Sequence, residues 1–213
     1  MDDPKLARLL EHPAIWRGRS TAPLEVLPSG FAALDESLPA GGWPRSGLIE
    51  ILIARFGSGE VSLLLPALAA LTRAASARWC AWVAPPLMPF APALAAQGMV
   101  LDRVAVVGGK RPLWAFDQVL GSGACDAALA WGRRPQPRDI RRLQLAAERG
   151  RTLGVLFRPR RAARETSVAA LRLGVESFRG GVRVTLLKGR GARGVVLLPA
   201  LTAHHAAVTA VLS

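Results

Sequence analysis

The chain has 213 residues, of which 51% are hydrophobic, and it carries a formal net charge of +13. This length is typical of one domain with short tails and is sufficient to bury a sizeable core. Residues 1–5 are polar, unlike a signal peptide, and no apolar run is long enough to span a membrane, so we expect a cytoplasmic protein. Cys80 and Cys125 lie in apolar runs, which predicts buried free thiols and argues against both a disulfide framework and a metal site.

The positive charge is concentrated in one part of the chain. Residues 133–194 contain 17 basic and four acidic residues, so this segment carries the whole formal charge of +13 and the remainder sums to zero. A basic face of this kind is typical of proteins that bind a polyanion, most often nucleic acid. A solvated, arginine-rich surface explains the same composition, and the sequence leaves both interpretations open.

The pattern predicts an N-terminal arm over residues 1–25, a domain over 26–198 and a C-terminal tail over 199–213. The domain begins with a short helix capped by Ser29 and a strand over 48–53. An apolar helix follows from Glu60, with Pro66 tolerated in its first turns.

Strands and helices then alternate. Further strands are predicted over residues 79–84, 104–107, 127–131 and 152–157, and the helices between them begin near Pro89, Leu113 and Asp139, the last as a cap. After residue 165, apolar residues alternate at period two, which is typical of antiparallel strands. The sequence therefore predicts an α/β fold with a mostly parallel central sheet, flanked by helices, and antiparallel strands at its C-terminal end.

The glycine turn after the first predicted strand has the layout of a phosphate-binding P-loop without its functional residues. The working motif is G-x-x-x-x-G-K-[ST], whose lysine contacts the β- and γ-phosphates and whose hydroxyl holds magnesium. Aligned on Gly59, the first glycine is Ala54, the lysine is Glu60 and the hydroxyl residue is Val61. A carboxylate at this position repels phosphate, so we interpret the loop as a nucleotide site that has lost its nucleotide.

Several motifs together resemble the RecA core and, more closely, the ImuA family, the RecA/SulA-like proteins of bacterial mutagenesis cassettes. The segments that resemble the RecA core are residues 27–35, 42–51 and 122–131, the last matching its Walker B strand. The segments that fit the ImuA family are residues 57–60, 64–68, 83–86 and 156–159.

The resemblance assigns two further nucleotide-site positions. The glutamate that activates water in the RecA family aligns with Pro86, and the Walker B aspartate aligns with Trp131. The residues that would clamp the phosphate, act as the general base and support the metal ion are then all replaced. We therefore expect neither catalysis nor a cofactor. Trp43 and Trp114 are expected near Trp131, where tryptophan would fill the former pocket. An active P-loop ATPase is the rival interpretation.

Two basic segments follow the last two predicted parallel strands. In the RecA family the corresponding loops face single-stranded DNA, so the resemblance implies contact with nucleic acid or with a partner protein through their arginines, which pair with phosphates and stack on bases. Docking to an acidic protein surface and flexible basic loops are the alternatives. The candidate contact residues are Arg133, Arg134, Arg138, Arg158, Arg160, Arg161 and Arg164.

The tail is apolar with partial helical spacing, carried by Leu201, Val208, Val211 and Leu212. ImuA-type proteins bind their partner through C-terminal regions, so the resemblance implies that these residues bind ImuB. Packing of the tail on its own sheet is the alternative. The adjacent pair His204 and His205 has no Cys, Asp or Glu nearby and is not expected to bind metal.

What the resemblance implies is a non-catalytic adaptor of translesion DNA synthesis, induced in the SOS response to DNA damage. Its expected partners are ImuB, a catalytically inactive relative of Y-family polymerases, a DnaE-type polymerase, RecA and single-stranded DNA. Two alternatives stay open: a SulA-like inhibitor of cell division, which would bind the tubulin-like ring protein, and a regulator of RecA filaments.

Overall fold

A computed structural model describes residues 25–132, 134–189 and 194–199 of the chain. The predicted arm, except for Glu25, the predicted tail beyond Pro199, and Arg133 all lie outside these residues. The described strands are β1 (Val26–Leu27), β2 (Trp43–Pro44), β3 (Gly47–Ile53), β4 (Trp79–Val83), β5 (Val104–Val107), β6 (Cys125–Trp131), β7 (Leu153–Pro159), β8 (Leu171–Phe178), β9 (Gly181–Lys188) and β10 (Gly194–Leu198). The described α-helices are α1 (Ala32–Ser37), α2 (Leu65–Arg73), α3 (Ala91–Ala96), α4 (Pro112–Gly121) and α5 (Pro137–Gly150).

Eight of these strands form one sheet in the order β10-β9-β8-β3-β7-β6-β4-β5. The strands from β8 to β5 pair in parallel, whereas β8, β9 and β10 pair antiparallel. The prediction of a mixed α/β fold with a mostly parallel sheet and antiparallel strands at one end is therefore confirmed. That this sheet is a RecA-like core stays a prediction.

The sheet is covered on both faces, which explains why its central strands are apolar throughout. On one face, Ile49 and Ile51 of β3 pack in a core with Leu68 of α2 and Leu94 of α3. On the other face, Leu48 packs in a second core with the inner sides of α4 and α5, represented by Phe116, Leu120, Ile140 and Leu143. The helix that follows β3 therefore lies on one face of the sheet, and the helix that precedes β7 lies on the other face.

Both predicted helix caps differ from the observed ones. Phe31 is the N-cap residue of α1, and Ser29 lies two residues earlier, where its hydroxyl accepts a hydrogen bond from the Phe31 N–H over 3.1 Å. Gln136 is the N-cap residue of α5, and Asp139 occupies the third helical position, from which its carboxylate accepts the Gln136 N–H over 2.9 Å. The two side chains form a reciprocal capping box, which satisfies donors that a single cap would leave free.

Proline positions agree with the predicted elements. Pro66 lies at the first turn of α2, where its missing N–H removes no helical hydrogen bond. Among the described residues, no helix has the length and the apolar character needed to cross a membrane.

Candidate functional site

The glycine turn after β3 is closed by its own carboxylate. Gly57 and Gly59 have φ angles of +78° and +88°, a backbone conformation that other residues rarely adopt. The Gly57 N–H donates a hydrogen bond of 2.9 Å to Oε1 of Glu60, whose side chain is buried. Backbone N–H groups in such turns bind phosphates in P-loops, so Glu60 occupies a donor that an oxyanion would otherwise use.

The other degenerate positions lie at or after the carboxyl ends of β3, β4 and β6. Ala54 is exposed directly after β3, and Val61 packs partly buried against the core. Pro86 is exposed in the loop after β4. Trp131 ends β6, where its ring stacks on Phe157 with centroids 4.8 Å apart. The structure therefore brings these positions to one edge of the sheet, while their former role in nucleotide binding stays a prediction.

The tryptophans are placed differently from the expectation. Trp43 is fully buried in the core on the α2 face of the sheet. Trp114 is half exposed on α4, and the Arg111 guanidinium carbon lies 4.7 Å from the centroid of its ring. The aromatic neighbours of Trp131 are Trp82, at a centroid distance of 6.0 Å, and Phe157. Trp82 lies in the continuous apolar run of β4, but its approach to Trp131 depends on strand order, which the sequence does not show.

Arg158 is not a surface residue, which corrects its prediction as a nucleic-acid or partner contact. It is 3% exposed, and its Nη1 donates to Oε1 of Glu50 over 2.7 Å. Its Nη2 donates to Oε2 of Glu165 over 2.6 Å. Arg172 Nε lies 2.7 Å from the second Glu50 oxygen as an ion pair. Because Glu50 is fully buried, these arginines neutralise a charge inside the sheet and are not free to bind a ligand.

Of the other predicted arginines that the structure describes, one is paired with a carboxylate and four are not. Arg160 pairs with Glu176, which also accepts a hydrogen bond from Arg183 over 3.1 Å. Within the described part of the chain, four predicted contact residues are exposed without a carboxylate within 4.0 Å. These four are Arg134, Arg138, Arg161 and Arg164.

A cavity of about 190 Å³ lies at the carboxyl ends of β3, β6 and β7. We call it the edge cavity and define it by Ile53, Arg55, Phe56, Trp131, Phe157 and Arg161. The chain leaves β3 toward the α2 face and leaves β6 toward the α5 face, so a crevice opens between these two connections at the carboxyl ends of the strands. This is the place where open α/β sheets commonly bind ligands.

A wider concavity of about 320 Å³ lies beside the glycine turn. A third concavity, of about 500 Å³, adjoins the edge cavity, and we call it the basic groove. It is defined by Arg134, Pro137, Pro159, Arg161, Glu165 and Thr166. Pro159 and Arg161 line both the edge cavity and the basic groove. The structure therefore brings the two predicted basic segments together, as their positions after adjacent parallel strands required.

Arg55 and Phe56 are candidate site residues that the sequence interpretation missed. Both are exposed in the edge cavity, and the Phe56 side chain is 54% exposed. The available signal was a large apolar residue between a buried strand and a glycine turn, where loop residues are usually polar. Among the described residues, no group of three or more His, Cys, Asp or Glu side chains is arranged to hold a metal ion.

Comparison with known proteins identifies similarity to SulA. The chain is 32% identical over 99 residues to the cell division inhibitor SulA of Photorhabdus laumondii subsp. laumondii, a match that covers 45% of this chain and 56% of the relative. The chain thus spans little more than half the length of that curated relative. A crystal structure of SulA from Pseudomonas aeruginosa matches with a TM-score of 0.44 and 23% identity, covering 52% of this chain and 97% of the SulA chain. No family model matches the chain. Part of this chain is therefore similar in sequence to SulA.

Proposed function

We propose that this chain is a non-catalytic protein that inhibits cell division in the manner implied by its similarity to SulA. The observation that carries the proposal is the 32% identity over 99 residues to a cell division inhibitor. The proposed partner is the tubulin-like protein of the division ring, as expected for a SulA-like inhibitor. The proposal places the protein in the SOS response to DNA damage.

The geometry of the glycine turn supports a function without nucleotide chemistry. Phosphoryl transfer requires a phosphate clamp, a metal site and a group that orients the nucleophile. Here Glu60 bonds to the loop itself, Pro86 is exposed without an ionisable group, and Trp131 stacks on Phe157. The chain is proposed to act without a cofactor, through surfaces that bind a protein.

Expression of the chain in dividing bacteria tests the proposal. We expect filamentous cells, and we expect the purified chain to bind the tubulin-like protein and to reduce its polymerisation. The control is the chain with Arg158→Ala, which we expect to be destabilised and to inhibit division only in proportion to the folded protein that remains. Normal division at high expression of folded protein would contradict the proposal.

An adaptor of translesion synthesis is the second candidate function. Two observations favour it: more than half of the chain lies outside the SulA match, and the segments over residues 57–60 and 83–86 fit the ImuA family. In this function the exposed arginines face single-stranded DNA or RecA, and the tail holds ImuB in a complex with a DnaE-type polymerase.

Co-purification with ImuB tests the adaptor function. The full-length chain is compared with a chain truncated after Leu198. Retention of ImuB by the full chain alone would support both the adaptor and the tail, and retention by both chains would remove the tail from the site. A strand-exchange assay with RecA and added protein tests the related function of a filament regulator.

A further inference from the structure

The edge cavity combines an apolar floor with a cationic rim. Its floor is formed by Ile53, Trp131 and Phe157, all belonging to or packed against the core of the α2 face. Its rim carries the guanidinium groups of Arg55 and Arg161, and neither has a carboxylate within 4.0 Å among the described residues. Such a site fits an apolar group that carries negative charges beside it.

The basic groove extends this cationic rim away from the floor. Arg161 lines both concavities, and Arg134 lies farther along the groove. The groove also contains Glu165, but its carboxylate already accepts a hydrogen bond from Arg158 over 2.6 Å. Positive charge without a carboxylate partner therefore continues beyond the cavity from Arg161 to Arg134, along a groove of about 500 Å³ that can hold an extended segment.

We propose that the edge cavity and the basic groove together bind an acidic peptide segment of a partner protein. One large apolar side chain of the peptide fills the cavity against Trp131 and Phe56, and flanking carboxylates pair with Arg55, Arg161 and Arg134. Apolar anchors in desolvated pockets commonly dominate peptide affinity, and charges at the rim add specificity. The inference rests on the proposed function as a protein-binding inhibitor, and it names the surface and the chemistry of what binds there.

A peptide fits this surface better than single-stranded nucleic acid does. Proteins that bind single strands stack successive bases on a series of exposed aromatic rings. In the described residues of this surface, Trp131 is stacked on Phe157 and flanked by Trp82, which leaves Phe56 as the exposed ring. One apolar pocket with a charged extension is the arrangement expected for a single side-chain anchor.

Selection from a displayed library of random peptides, about twelve residues long, tests the inference with the full chain as bait. We expect enrichment of acidic peptides that contain one Leu, Met, Phe or Trp. The affinity of one enriched peptide, labelled with fluorescein, is then measured by anisotropy. Peptides without this composition, or no enriched peptide, would overturn the inference.

Three variants locate the site. Ala54 is exposed at the cavity, so Ala54→Trp fills it, and we expect a loss of peptide affinity of at least about tenfold. Arg161→Glu reverses the charge shared by the two concavities and is expected to weaken binding similarly. Arg141→Glu makes the same charge change on the exposed surface of α5 and is the matched control, with affinity expected within about twofold of the wild type.

Three outcomes would overturn the proposal: equal affinity of all variants, binding of an oligo-dT strand that Ala54→Trp abolishes, or a dimer of the chain that Ala54→Trp dissociates. Failure of the inference is distinguishable from failure of the proposed function. Binding of the tubulin-like protein that is unchanged by Ala54→Trp leaves the function and removes the site. If the site binds the peptide but the chain does not bind the tubulin-like protein, the site stands and the proposed function is contradicted.

Discussion

Arg158 on β7 donates a hydrogen bond of 2.7 Å to Glu50 on β3, and both side chains are buried between neighbouring strands. The pair joins residues 108 positions apart in the sequence, and Arg172 on β8 contacts the same carboxylate. The two arginines neutralise the negative charge of Glu50, which is buried away from water. The arrangement ties three adjacent strands together at the point where the edge cavity begins.

We therefore predict that Arg158→Ala acts on folding. It leaves the Glu50 carboxylate with an incomplete set of partners in the core, and we expect the free energy of unfolding to fall by about 3–5 kcal/mol. Urea unfolding followed by circular dichroism measures this change. Arg164→Ala, at an exposed position nearby, should change it by less than about 0.5 kcal/mol. Equal and small effects of the two substitutions would mean that Arg158 is not part of a buried network.

The hydrogen bond between Glu60 and Gly57 predicts a second effect on stability. Glu60→Ala leaves the Gly57 N–H without this acceptor, and we expect a loss of about 1–2 kcal/mol in the free energy of unfolding. Glu36 is an exposed glutamate on α1, and Glu36→Ala is the matched control. Thermal unfolding compares the two variants, and identical melting temperatures would show that the carboxylate does not stabilise the turn.

Restoring the P-loop residues should not restore an ATPase. In the double variant Glu60→Lys and Val61→Thr, the lysine and hydroxyl of the motif are present, but Pro86 and Trp131 remain at the positions that the RecA resemblance assigns to the activating glutamate and the Walker B aspartate. We expect no ATP hydrolysis above background in a phosphate-release assay with magnesium. Turnover by the double variant, or micromolar binding of labelled ATP by the wild type, would contradict this account of the site.

Glu176 predicts a specific dependence of stability on pH. Hydrogen bonds from Arg160 and Arg183 lower the pKa of its carboxyl below the ordinary value of 4.5. The native state therefore holds this proton less tightly than the unfolded chain. The stabilisation is complete above the pKa of the unfolded state and is lost as the pH falls through the native pKa.

Melting temperatures of the wild type and of Glu176→Gln measure this contribution. We expect the wild type to be more stable at neutral pH and the difference to shrink in acid. The carboxylate is partly exposed, so the difference is small. A difference that persists unchanged in strong acid would contradict the ion pairing.

The cysteines predict the behaviour of the native thiols. Burial raises the pKa of Cys80 to about 12 and also raises the pKa of Cys125. Because the thiolate is the reactive form, both should resist alkylation by iodoacetamide at pH 8 and react fully after unfolding in guanidinium. Mass spectrometry counts the labelled thiols. Rapid labelling of the folded protein would show that one of the strands β4 and β6 opens.

The sequence predicted the sheet better than it predicted the site. Continuous apolar runs identified all five parallel strands from β3 to β7. In β3, β4, β6 and β7 the reason is that strands covered on both faces need apolar residues at most positions. The cap of α5 was misplaced because Gln136 and Asp139 satisfy each other across the first turn, and the pattern alone suggested only the aspartate.

The charge of an arginine does not reveal whether it is buried. Arg158 and Arg161 stand three residues apart in one basic segment, yet the first neutralises Glu50 and the second is exposed in the edge cavity. Which of them is free depends on the neighbour of β7, which is β3, and this pairing is not visible in local sequence. The exposure of Phe56 likewise depends on the crevice between the two chain crossings.

The affinity of the purified full-length chain for the tubulin-like division protein tests the central claim most directly. Isothermal titration at physiological salt is expected to give a dissociation constant in the micromolar range or tighter, without added nucleotide, and the same preparation is expected to reduce polymerisation of that protein. A folded chain that shows no heat of binding and no effect on polymerisation, but retains ImuB in a co-purification, would contradict the account in favour of the translesion adaptor.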